Sequence, residues 1–428
     1  MNTTYKRPAG WTRSVLAGAL LAAALLGASA PATAQAPAQA PAVTQDPVKL
    51  GLIVPLSGPW ARQGEVMRVG AEMAIDHINA AGGIASLGGR PVELVVVDAG
   101  DSVERATNAA QRMVAEHPDL VGLTGAYLSS FTLAVSEVTE RAELPMLTLS
   151  YSDLITGRGF RYMFQTSPTG VKQAEDALPI ILDLAESTSG TRPTRLGFVM
   201  DSTAASVAFV KPIVEGNALA THSLELVVDE VFTPPLSNAT PLIQRVRAAR
   251  PDLFMLLPTT VSDSKLLIEK MNEFGLGRGR LPTVSNGSAM GDPDLARNLS
   301  PELLEGVMSV VANWSMRGQE DLIAEFKQRS GEPWMTQNPI CTYGDIWILA
   351  TALEAAGEAD RNAVADAIRA MDITDGPAAF FPGGRIRFDE QGHRIDAELL
   401  VVQWQGGEPR TVYPESAAVA DPIWPSGR

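Results

Sequence analysis

The sequence predicts an α/β protein made of two doubly wound lobes in series, and three observations carry that prediction. Short β-branched runs alternate with longer segments of helical period, the order that builds parallel sheets. The run at 92–98 is almost unbroken Val and Leu, as expected of a strand covered on both faces. The alternation also comes twice, in two stretches of similar size. Open α/β sheets bind ligands beyond the carboxyl ends of their strands, so two such sheets facing each other offer a cleft between lobes.

The first series reads as strand 48–54, helix 66–80, strand 92–98, helix 102–116, strand 120–124, helix 129–142 and strand 145–149. The second has strands at 195–200, 225–232 and 252–257, separated by helices at 203–219, 239–249 and 262–275. Strands at 281–285 and 306–311 follow, then helices at 318–330, 341–357 and 361–370. The runs at 385–388 and 399–404 read as a closing hairpin.

The N-terminus bears on compartment. Lys6, Arg7 and Arg13 surround the start of an apolar run, 15–26, that is short for a bilayer span and is followed by small residues. That is the pattern of a removable secretory signal. Ala28-Ser29-Ala30 is followed by Pro31, which should block a cut, so cleavage is expected after Ala34, giving a signal peptide of 1–34. Residues 35–47 are Ala- and Pro-rich and read as a disordered linker. The single cysteine, Cys341, is far from the cut, so neither a lipid anchor nor an internal disulfide is expected, and the residue reads as small and buried. The chain has 34 basic and 49 acidic residues; losing the three cations of the signal leaves 31 and 49. Such an acidic chain should avoid nucleic acid and anionic membranes. No second apolar stretch approaches membrane-spanning length, and a soluble protein is expected.

The inventory for catalysis is thin. None of the four histidines (His77, His117, His222, His393) stands at metal-ligand spacing from another, and HExxH, CxxC and GxSxG are all absent. Gly275-Leu276-Gly277-Arg278-Gly279 follows a helix, not a strand, and reads as a helix stop. Asp98 and Asp101 read as strand-end and turn residues. The expectation is a binding protein and not an enzyme, with no cofactor and no metal.

The opening strand and loop at 48–59, Val-Lys-Leu-Gly-Leu-Ile-Val-Pro-Leu-Ser-Gly-Pro, resemble those of the branched-chain amino-acid (Leu/Ile/Val) solute-binding proteins of ABC transporters. Gly64-Glu65, the segments at 70–75 and 78–84, Gly125 with Ser129 and Thr132, the segment at 144–148 and Val401-Val402-Gln403-Trp404 follow in the family's order. Each motif is weak alone; the ordered set spans nearly the whole mature chain. The resemblance implies a type I periplasmic-binding fold whose lobes are joined by a three-crossover hinge. Lobe one would hold 48–166 plus 312–378, lobe two 167–311 plus 379–410, with 411–428 as a C-terminal tail. It implies a periplasmic monomer that closes on a small carboxylate or amino-acid-like molecule and hands it to an ABC permease in the inner membrane. The same fold also serves membrane sensors, which is the alternative.

The resemblance also assigns site residues. Ser129 aligns with the family's carboxylate-binding serine, at a strand-to-helix junction where free N–H groups and the helix dipole favour an anion; a plain N-cap has the same geometry. Ser150 and Ser152 align with residues that hydrogen-bond the ligand, or else simply form a turn. Tyr151 stands between them where the family has a small residue or proline. Trp60 either walls the cleft or packs on its own lobe. Gln63 stands where the family commonly has an aromatic wall, and Ala205 and Thr260 where tyrosines often sit. Asn286 takes the place of the acid that pairs with a ligand ammonium, with Asp292 and Asp294 a short loop away. These departures imply a ligand that keeps its carboxylate and need not carry an amino group, such as an aromatic or branched aliphatic acid. A branched-chain amino acid is the alternative.

Overall fold

The structure, a computed structural model, describes residues 46–424. The expected signal peptide and nearly all of the expected linker lie outside the described residues. The first sheet is built from β1 (Val48–Val54), β2 (Val92–Asp98), β3 (Leu120–Gly125), β4 (Met146–Thr148) and β5 (Met163–Gln165) in the order β2-β1-β3-β4-β5. Every pairing is parallel. The connecting helices α1 (Ala61–Ala80), α2 (Val103–Glu116) and α3 (Ser129–Arg141) follow β1, β2 and β3. β3 is buried at every position, whereas β2, expected to be covered on both faces, stands at the edge of the sheet with Glu93 and Asp98 exposed and only Val92 and Val95 buried.

The second sheet has seven strands, in the spatial order 408–413, 400–405, 308–311, 283–286, 253–257, 195–201 and 225–232. A long helix, α4 (Gly170–Ser189), leads into β6 (Arg195–Asp201), α5 (Ala204–Glu215), the single turn α6 (Ala218–Thr221) and β7 (Glu225–Phe232). Then come α7 (Thr240–Ala249), β8 (Leu253–Leu257), α8 (Val261–Glu273), β9 (Thr283–Asn286), α9 (Pro293–Asn298) and β10 (Met308–Val311). The chain next returns to the first sheet with α10 (Glu320–Ser330), α11 (Gln337–Ala356), α12 (Arg361–Arg369) and the short strands β11 (Asp372–Ile373) and β12 (Ile386–Arg387). It ends on the second sheet with β13 (Leu400–Gln405) and β14 (Glu408–Tyr413), both antiparallel additions. This is the type I periplasmic-binding fold: carboxyl ends of two parallel sheets face a common cleft.

α11 is the keystone of the first lobe. Ile340, Ile346, Ile348, Leu349 and Leu353 are fully buried, so the helix is apolar around most of its circumference, as a core helix should be. It lies close enough to α1 that a Cβ at Gly70 would stand 2.4 Å from the Pro339 carbonyl oxygen. A side chain there would push the two helices apart.

The segment 170–189, which the apolar pattern does not mark as an element, is a helix that tolerates Pro179 inside it. Three further expectations need correction. The runs at 385–388 and 399–404 do not form a hairpin. β12 pairs with β11, and β13 pairs with β14, because Phe381, Ile386 and Phe388 share the core of the first lobe with Leu50, Leu52 and Ile340. The boundary at 378/379 therefore falls too early: Gln165 of β5 still donates its amide to Gly392 and accepts from Arg394. The expected tail contributes Thr411–Tyr413 to β14, where Thr411 is fully buried. In each case two short apolar runs have more than one buried surface to join, and only long-range packing decides between them.

Candidate functional site

A pocket enclosing about 600 Å³ of free space, mouth included, opens where the carboxyl ends of the two sheets meet. Its first wall comes from Tyr127, Leu128 and Ser129 after β3, from Leu149, Ser150 and Tyr151 after β4, and from Gln337 and Asn338 at the start of α11. Its second wall comes from Ala205, Ser206 and Phe209 of α5, the stretch 257–259 before α8, and the stretch 286–289 after β9. Among the described residues, no lining side chain is charged.

The first wall is shaped by an unusual backbone. Gly125, Ala126 and Tyr127 have φ of 122°, 64° and 59°, three positive values in succession. For the two non-glycine residues that conformation costs about 1–3 kcal/mol each and persists only where the surroundings enforce it. The chain turns so sharply off β3 that Leu128 is the N-cap of α3 and Ser129 its first helical residue. Ser129 is thus not the N-cap that a serine at a strand-to-helix junction suggests. Its hydroxyl accepts from the amides of Tyr151 and Ser152, each at 3.2 Å, and ties the loop after β4 to the helix start. Among the described residues no side chain caps α3, and none caps α11. The first amides of both helices have no intrahelical acceptor, and the positive ends of both dipoles border the pocket.

The rest of that wall is held by neutral groups. Ser150 donates to the Tyr127 carbonyl at 3.0 Å, with Thr132 Oγ1 2.7 Å from the same hydroxyl. Tyr151 donates to Gln337 Oε1 at 2.7 Å. Burial pushes the hydroxyls of Tyr127 and Tyr151 well above the usual phenol range, so both rings are neutral.

The second wall is organised around Asp201, fully buried at the end of β6. Its carboxylate accepts from the amide and hydroxyl of Thr203 (3.1 and 2.7 Å), the Ser206 hydroxyl (2.8 Å), and the amide and hydroxyl of Thr259 (2.7 and 2.6 Å). Thr203 caps α5 and Thr260 caps α8. Asn286 donates to Gln173 of α4 at 2.7 Å.

Of the residues expected at the site, Ser129, Ser150, Tyr151, Ala205 and Asn286 line the pocket. Four do not. Ser152 sits behind Ser129, with only its amide engaged there. Trp60 packs edge-on against Phe131 in its own lobe, ring centroids 5.8 Å apart. Gln63 bonds Asp292 and Asn338 at the seam between the lobes, and Thr260 caps α8 while its neighbour Thr259 faces the pocket. Asp292 is 2 % exposed, caps α9 and does not line the pocket, and Asp294 pairs with Arg297.

The rings at the pocket come from positions other than 63, 205 and 260: from Tyr151, expected at the site, and from Tyr127 and Phe209, which the sequence did not single out. Phe209 lies one helical turn beyond Ala205, a spacing that could have flagged it. Tyr127 follows the end of β3 and precedes Ser129, which is a positional hint. Gln337 and Asn338 gave none, since α11 starts ahead of the expected residue 341. Chemically, the pocket combines two uncapped helix starts, neutral hydrogen-bonding groups and aromatic rings. Such a set accepts an anionic head and an apolar body.

Comparison with known proteins agrees with this architecture. The profile of a family described as periplasmic binding protein matches residues 47–408. Leu/Ile/Val-binding protein homolog 8 of Brucella melitensis is 28% identical over 387 residues, 87% of this chain and 92% of that one. The branched-chain amino acid transporter substrate binding protein LivJ from Streptococcus pneumoniae, in complex with isoleucine, has a TM-score of 0.72 at 17% identity, over 88% of this chain and 100% of that one. A solute binding protein of an ABC transporter from Rhodopseudomonas palustris BisB5, in complex with 3,4-dihydroxy benzoic acid, has a TM-score of 0.72 at 19% identity, over 88% and 99%. At these identities the two solved structures speak for the fold alone. No helix among the described residues is long and apolar enough to cross a membrane.

Proposed function

This chain belongs to the periplasmic binding protein family, of the Leu/Ile/Val-binding type, and on that premise we propose that it captures a small carboxylate without an ammonium group and delivers it to an ABC importer. The observation that carries the reading is the pairing of two uncapped helix starts with a pocket that no acidic side chain lines. An α-amino acid brings an ammonium that needs a charge-assisted acceptor, and Asn286 is neutral while Asp201 is saturated by its own neighbours. The three rings supply the apolar surface for an aromatic or branched aliphatic body, with about 0.5–1.5 kcal/mol for each well-placed ring pair. A relative that holds 3,4-dihydroxy benzoic acid is in keeping with this class, and one that holds isoleucine keeps the amino-acid alternative in view.

The ligand does its work by touching both lobes. A molecule bound to one wall alone would shift no equilibrium between open and closed forms; one that bridges Ser129 and Asn286 favours the closed form by its extra affinity there. The chain acts in the periplasm, after loss of its signal peptide, as a monomer that carries out no chemistry on its ligand.

A thermal-shift screen of the chain from Gln35 onward, refolded to remove carried ligand, tests this. A ligand at 100 times its dissociation constant stabilises by about 2.7 kcal/mol. Aromatic and branched aliphatic acids should raise the melting temperature, with leucine and isoleucine silent; the opposite pattern would end the proposal. Asn286→Asp, scored in the same screen, should weaken the simple acids and admit amines. An unchanged ranking would remove Asn286 from ligand choice.

A further inference from the structure

Beside the pocket the two lobes meet along a polar seam. Asp292, at the start of α9 in the second lobe, has a carboxylate shielded from solvent. Its Oδ1 accepts the Asp294 amide at 2.8 Å, capping the helix, and its Oδ2 accepts from Gln63 of α1 in the first lobe. Gln63 in turn accepts from Asn338 at 2.5 Å, and the same Asn338 amide donates to Ser288 Oγ at 3.1 Å. Asn338 and Ser288 line the ligand pocket from opposite lobes, so this chain of bonds runs from the seam to the site.

The charges around Asp292 are committed elsewhere. Asp294 pairs with Arg297 at 2.5 Å. Arg297 also pairs with Glu332, as does Arg62, and the Glu332 side chain is only 2 % exposed. Neither arginine forms an ion pair with Asp292 among the described residues. What remains is a buried carboxylate, hydrogen-bonded across the seam and without a direct ion-pair partner among the described residues.

We propose that Asp292 is a positioning residue that makes lobe closure, and through it ligand affinity, tighten as the pH falls. The inference rests on the closing motion proposed above. Opening the seam separates Asp292 from Gln63 and returns its carboxylate to water; closing removes that water, which disfavours the charged form. With the seam made, as in this structure, burial raises the carboxyl from 3.8 to about 6, helped by the charge of Asp294 and opposed by its amide, by Arg297 and by Gln63. A group whose pKa is higher in the closed state takes up a proton on closing. Closure is therefore favoured progressively as pH falls below about 6, the gain levels off near the ordinary carboxyl value, and above about 7 there is none.

The test needs no knowledge of the natural ligand. Nitroxide labels at Ala80→Cys and Asn298→Cys, both exposed, report the distance between α1 and α9 in the refolded, ligand-free mature chain, with the buried Cys341 left in place. The closed-to-open ratio should be about tenfold higher at about pH 5 than at about pH 7.5. Asp292→Asn keeps the helix cap and a seam partner but cannot ionise, so its distance distribution should be the same at both pH values. A wild-type distribution that ignores pH, or a pH response that survives Asp292→Asn, overturns the proposal. Benzoate added at each pH separates the two readings. Closure by benzoate with no pH effect sinks the switch alone; a pH effect without benzoate closure supports the switch and counts against the aromatic-acid reading.

Discussion

The two walls of the pocket handle the same structural problem in opposite ways. Each presents two helix starts to the cleft. On the second wall those starts are satisfied internally: Thr203 and Thr260 cap α5 and α8, and Asp201 gathers four hydrogen bonds from Thr203 and Thr259 in the loops that precede them and one from Ser206 of α5. On the first wall α3 and α11 have no side-chain cap, and the backbone before α3 is held in a left-handed conformation to bring the helix start to the pocket. A protein gains about 1 kcal/mol from each helix cap, so leaving two empty beside a pocket is a cost that, on the proposed function, an incoming anion offsets. On that proposal the first wall is the receptor and the second the cover.

The strongest way to break that comparison is to remove the organiser of the cover. Asp201→Ala leaves the amides and hydroxyls of Thr203 and Thr259 without their buried acceptor and should destabilise the second lobe by about 3 kcal/mol or more in urea unfolding. Equal stability would mean that the loops find other partners. Next in size is to give the receptor wall the cap it lacks. Leu128→Asp places a carboxylate at the N-cap of α3, where it takes the free amides and repels an anionic ligand. Calorimetry should then show affinity for a carboxylate ligand lowered by about a hundredfold with the melting temperature held or raised. Undiminished binding would show that the α3 start is not the anion site.

A smaller change sharpens the picture. Ser129→Ala removes the acceptor for the Tyr151 and Ser152 amides and loosens the loop against the helix start, so affinity should fall by about tenfold. The smallest is Thr260→Ala, which uncaps α8 on the cover. It should cost about 1 kcal/mol of stability and leave the order of ligands unchanged. A reordering of ligands would return Thr260 to the site.

The sequence alone determined the alternation of strands and helices, the doubly wound sheets, and the placing of Ser129, Ser150 and Asn286 at sheet edges. Those features are local: apolar period sets the element, and a strand end followed by a helix start sets the edge. Even so, a helix start at 129 leaves open whether Ser129 caps α3 or begins it, and the left-handed turn that makes Leu128 the cap leaves no periodic trace.

Only the tertiary structure decided which sheet 379–394 joins, that Trp60 turns inward, and that Tyr127 and Phe209 replace the missing aromatic wall. The seam lay equally out of reach. Gln63 lies 229 residues from Asp292 and 275 from Asn338, and no spacing rule links them. Their bonds exist because three segments remote in sequence are packed to one edge, and which polar groups lose water together is settled by that packing.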